Sequence, residues 1–140
     1  MWETFGSGCS IVKSSLLEDL TFDLALEFGY GEDKDYGIQI RKKSAAVIYI
    51  SDYPIFHLKA PIGGFRQKIQ KPWDFDKLKP KPSPTILFYI QKNHSIYQQK
   101  GYKCFYLIKQ LATIKGLISW RKILKAWRMS EYWVAKIRKA

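Results

Sequence analysis

Four of the six prolines fall between residues 72 and 84, in the run Pro72, Pro80, Pro82 and Pro84. Proline fixes φ and has no backbone N–H to give to a helix or a ladder, so no regular element can run through this stretch. With its lysines, the segment 71–84 reads as an extended linker or long surface loop. The chain is thereby divided into residues 1–70, a Pro/Lys-rich connection at 71–84, and residues 85–140. At 140 residues there is enough chain to bury a core without disulfides. Cys9 and Cys104 lie far apart and have no Cys or His neighbour at metal-ligand spacing, so both read as buried thiols.

Before the prolines, Ser14 and Ser15 precede Leu16, Leu17, Leu20, Leu24 and Phe28 at helical spacing, with Gly29 as a stop. This predicts an acidic, amphipathic helix over 15–28. The polar cluster 31–35 reads as a turn. The β-rich runs 36–41, 45–51 and 55–59 then predict three short antiparallel strands, the middle one apolar on both faces and central. After the prolines, 85–91 reads as a further strand. The segments 102–114, 117–127 and 131–139 read as helices, with a break at Lys115 and Gly116. The expected fold class is α+β: an N-terminal helix plus a small antiparallel sheet in 1–70, then a strand and a basic helical module in 85–140.

Charge is segregated along the chain. Residues 1–36 hold eight acids and two lysines, whereas the remaining 104 hold twenty-two bases and four acids, within a total of +12. A field of that sign attracts phosphate backbones over a Debye length of about 8–10 Å. Nucleic acid, DNA or RNA, is the expected partner, with a protein partner expected on the acidic N-terminal region. No apolar run approaches the roughly 18 residues a membrane helix needs, and no basic, then apolar, leader opens the chain. No membrane contact and a cytoplasmic location are expected.

The segment 120–137 carries the sharpest motif. Ile123 and Trp127 stand at inner-face spacing, Met129 follows, Ser130 is placed to cap a new helix, and Val134 and Ile137 again face inward. This arrangement resembles the helix-turn-helix family of DNA-binding motifs over about the last 23 residues. The resemblance implies a turn at Arg128 and Met129, with Arg128 in the position that the family usually gives to glycine. It also implies that Tyr132, Lys136 and Arg138 face the major groove, while Arg121, Lys122, Lys125 and Lys139 lie near phosphates. The alternative is two amphipathic helices packed as a hairpin, but residues 101–140 hold ten bases and one acid, more lopsided than a solvated face requires.

A second basic region surrounds Gly63 and Gly64, where Phe65 could stack on a base and Arg66 and Lys68 could neutralise phosphates. Among the five tryptophans, Trp73 and Trp133, with Phe75, are expected to be exposed. No cofactor or metal is implied: Asp74 and Asp76 form a two-acid pattern that reads as a solvated loop. No Walker loop, nucleophile elbow or dinucleotide fingerprint is present. Non-catalytic nucleic-acid binding is therefore the expected function, probed against two rivals. One is an accessory subunit of a ribonucleoprotein, such as an RNA-guided (CRISPR-type) effector. The other is a small metal-independent ribonuclease using His57 and His94.

Overall fold

Glu32, Asp33 and Asp35 crowd the start of an eleven-residue segment that ends in Arg41 and Lys42, charges that complement both poles of a helix dipole. In the computed structural model of this chain, which describes residues 10–46, 48–52 and 70–139, that segment is the first α-helix, α1 (Glu32–Lys42). Four more α-helices follow among the described residues: α2 (Pro84–Asn93), α3 (Ile96–Leu111), α4 (Ile114–Ile118) and α5 (Trp120–Ile137). Single 3₁₀ turns occupy Ser14–Leu16, Leu24–Leu26 and Pro72–Phe75.

The chain divides into two compact units. One comprises Met1–Asp23 with Glu32–Gln70, and the other Leu24–Gly31 with Lys71–Ala140. In the first, Tyr36 and Ile40 sit one helical turn apart on α1 and bury against Leu20, with Leu16 and Ala45 packed around them. Phe22 stacks on Tyr36 at 4.4 Å, Gln39 donates to the Thr21 carbonyl, and Lys43 pairs with Asp19 at 2.9 Å.

The second unit is organised around α2. Pro84 opens it at a position where the missing N–H costs nothing. Thr85, Leu87, Phe88, Tyr89 and Ile90 are then all buried, with α5 as the principal neighbour and the turn Leu24–Leu26 also packed on α2. Trp73 packs edge-on against Phe28 and tilted against Trp133, and Tyr30 meets Tyr89 edge-on. Gly31 has φ +101°, and a Cβ there would lie 3.0 Å from the Tyr89 ring, so glycine alone suits that turn.

The α+β expectation is overturned: there is no strand among the described residues. The run 36–41 lies inside α1, where its apolar residues use the i, i+4 spacing rather than alternation. Residues 45, 46 and 48–51 form no strand, and the third expected strand, 55–59, lies outside the described residues. The expected strand 85–91 is α2; a continuous apolar run looks the same in a buried strand as in a helix buried on most sides. The expected helix 15–28 is reduced to two isolated 3₁₀ turns, and its residues are shared between the two units.

Residues 71–84 are held to α5 by three hydrogen bonds. The Lys81 N–H donates to the Ala126 carbonyl at 3.1 Å, Ser130 Oγ donates to the Pro82 carbonyl, and Trp133 Nε1 donates to Asp76 Oδ2 at 2.5 Å.

Candidate nucleic-acid interface

At 100° per residue, Arg121, Lys125, Arg128, Tyr132 and Lys136 fall within an arc of about 80° on α5. All five are exposed. The opposite side of the same helix carries the buried Ala126, Trp127, Ser130 and Val134. One face is therefore committed to the core and the other to a stripe of four cations and a phenol, extending about 22 Å from first to last. Lys139, also exposed, continues the stripe just beyond the helix end.

The acid on α5 is withheld from the stripe. Glu131 Oε1 accepts from Trp127 Nε1 at 2.6 Å and pairs with Lys103 at 3.1 Å. Lys103 also lies over the Trp127 ring at 5.2 Å. Along the stripe, Lys136 sits over the Tyr132 and Trp133 rings at 4.8 and 5.0 Å, and Arg121 over Trp120 at 5.3 Å. These rings hold the cations' stems in place without neutralising them.

The implied helix-turn-helix is not there. α5 runs without interruption through Arg128, Met129 and Ser130, and among the described residues only Ser44 outside glycine has a positive φ. Arg128 keeps helical backbone, which avoids the roughly 1–2 kcal/mol that a left-handed conformation costs a residue with a Cβ. Ser130 caps nothing: its hydroxyl bonds to Pro82 and Ala126 carbonyls instead. The inward side of the reading survives in part, since Trp127 and Val134 are buried and Ile123 and Ile137 half-buried.

Of the ten residues singled out in the sequence, Arg121, Lys125, Arg128, Tyr132, Lys136 and Lys139 come together on the stripe. Arg138 points elsewhere and bonds to Gln91 Oε1 of α2 at 3.0 Å. Lys122 lines a separate cavity of about 310 Å³. Arg66 and Lys68 lie outside the described residues, as do His57 and Cys9. His94 caps the end of α2 with its ring edge-on to Tyr89, and Cys104 is exposed rather than buried. Trp73 is buried and Trp133 half-buried, whereas Phe75 is exposed as expected.

That cavity is what the residue-by-residue reading missed. It joins Lys77, Lys79 and Lys81 of the proline-rich segment to Lys122 and Ser119 at the start of α5, with Tyr106 of α3. The alternating lysines at 77, 79 and 81 were visible in the sequence, but not that they share a wall with α5. Burial raises the Tyr106 phenol above its ordinary value of 10.0; a phenol is a protonated donor at neutral pH with or without that shift.

No family model, curated protein or solved structure matches this chain. No helix among the described residues is long and apolar enough to cross a membrane.

Proposed function

We propose that this chain is a non-catalytic nucleic-acid-binding protein that holds a phosphate backbone along the exposed face of α5. The observation that carries this reading is the stripe of Arg121, Lys125, Arg128 and Lys136 around Tyr132, opposite the buried face of a single 18-residue helix. The unit that contains it holds sixteen bases and four acids. A continuous helix with cations along one side suits contact with successive phosphates rather than insertion of a second helix into the major groove. The binding is therefore dominated by charge and tolerant of sequence. Tyr132 adds a ring on which a base can stack.

The test is a salt titration of binding to duplex DNA, single-stranded DNA and RNA. With five phosphate contacts, from the stripe and Lys139, the slope of log K against log salt should be about −4.5 for duplex and about −3.5 for single strands. A slope near zero, or no binding at low salt, would end the proposal.

A second reading, an accessory subunit of a ribonucleoprotein, is favoured by apolar side chains that α3 and α4 leave in solvent. Tyr97 is 82% exposed, Phe105 67% and Ile118 79%, a density of exposed apolar groups that suits a protein neighbour. Size-exclusion chromatography of native lysate distinguishes the two: a large nuclease-sensitive species favours the subunit, and a free small species counts against it.

A further inference from the structure

We infer that the lysine-lined cavity beside α5 is a binding site for a phosphate monoester carried by a nucleoside, either the 5′-phosphorylated end of a strand or a free mononucleotide. The strand-end form rests on the nucleic-acid binding proposed above; the free-nucleotide form does not.

The lining is chemically one-sided. Four of the residues that line the cavity are lysines, Lys77, Lys79, Lys81 and Lys122, and no acidic residue is among the described residues that line it. Lys77, Lys81 and Lys122 have no ion pair among the described residues. Lys79 donates to the Asp74 carbonyl, a bond that leaves its charge uncompensated. Four like charges around one hollow repel one another, and an entering anion relieves that repulsion. The start of α5 adds to the field: no side chain caps it and its first turn holds no acid. Ser119, its N-cap residue, lines the cavity.

Charge and size together select the ligand. A monoester carries a charge of about −1.5 to −2 at neutral pH, more than the single charge of an internal diester, so it gains more from clustered lysines. At about 310 Å³ the cavity exceeds the needs of a bare phosphate and sits at the lower end of small-molecule sites, roughly 300–1,000 Å³. Leu78, Ile123 and Ala126 supply an apolar wall for a sugar and base. The neutral Tyr106 phenol is a donor for a phosphate oxygen.

The experiment uses the full chain at about 0.15 M salt. Two short single strands of identical sequence, one 5′-phosphorylated and one 5′-hydroxyl, are titrated by fluorescence anisotropy, with a 3′ label. Adenosine 5′-monophosphate is titrated alone by calorimetry. The same measurements are made on the double variant Lys77→Ala, Lys81→Ala, whose lost side chains make no hydrogen bond or ion pair among the described residues and whose fold is checked by circular dichroism. The strand-end form expects the phosphorylated strand to bind about tenfold tighter or more, the scale of one charge-assisted contact, with the preference erased in the variant. Equal strands with mononucleotide binding that the variant abolishes support the free form. Equal strands without mononucleotide binding overturn the inference and leave the α5 stripe standing. A preference that persists in the variant also overturns it. If neither strand binds, the proposed function fails, and the mononucleotide result alone then decides the cavity.

Discussion

The hydroxyl of Ser130, fully buried midway along α5, donates to the carbonyl oxygen of Pro82, forty-eight residues earlier in the chain. The contact converts a proline-rich stretch into one wall of a site. It works beside the bond from Lys81 to Ala126 and that from Trp133 to Asp76, so residues 76–82 are fixed at three points along α5. Ser130→Ala leaves the Pro82 carbonyl without this donor in a place closed to water. The expected cost is about 1–3 kcal/mol, seen as a lower urea midpoint with an unchanged m value. An unaltered midpoint would mean that the bond contributes nothing.

Two glycines make opposite expectations. At Gly116 an added Cβ would stand 1.9 Å from the Gln110 carbonyl oxygen, so Gly116→Ala must push the α3–α4 connection apart. It should destabilise by about 1–3 kcal/mol, the range of an overpacked site. Gly101, in the middle of α3, has nothing within 4 Å of the same position. Gly101→Ala should stabilise by about 0.5–1 kcal/mol through the lower backbone entropy of alanine in the unfolded chain. Thermal unfolding of the two variants side by side reads both signs.

Tyr102 and Tyr106 lie 6.1 Å apart and both pack on Trp127. Burial raises both phenols above their ordinary value of 10.0, and for Tyr102 the neighbouring phenols of Tyr106 and Tyr30 raise it further. Each is an acid whose folded form resists ionisation. Its contribution is fully present below pH 10 and is lost as pH rises through the folded values. Stability should therefore be insensitive to these groups near neutrality and fall in the alkaline range, with Tyr102→Phe showing a shallower fall. Denaturant melts across that range, paired with phenolate absorbance, test this; equal alkaline sensitivity in the variant would count against it.

On the stripe, Arg121→Ala, Lys125→Ala and Arg128→Ala should each weaken nucleic-acid binding and reduce the duplex salt slope by about 0.9, one phosphate contact apiece. None of these side chains enters the core, so melting temperature should hold. Arg138→Ala is the contrast: it removes the bond to Gln91 and should leave the slope unchanged. Salt titrations of the four variants decide whether the stripe or mere net charge is responsible.

Residues 102–139 read as helical from periodicity, and the inner positions Trp127 and Val134 were legible because an amphipathic helix must repeat its apolar side every three to four residues. The break expected at Lys115 and Gly116 was misplaced: both residues lie inside α4, and the helices are interrupted on either side of it, at Ala112 and Thr113 and again at Ser119. The turn expected at Arg128 and Met129 was misread for a physical reason. A serine after a basic, aromatic stretch has the same local appearance whether it caps a new helix or sinks into an old one. Only an acceptor on a distant segment decides between them.

By itself, the order of the amino acids determined the segregation of charge, the helical character of the C-terminal third and the side of α5 that turns inward. These follow from spacing within a few residues, and local sterics and burial act at that range. Tertiary structure decided that 85–91 coils rather than extends, that α5 runs through Ser130, and that lysines 77, 79 and 81 share a cavity with Lys122. Those outcomes depend on which surfaces meet across dozens of residues, and an apolar run or a lone serine carries no record of the partner that will bury it.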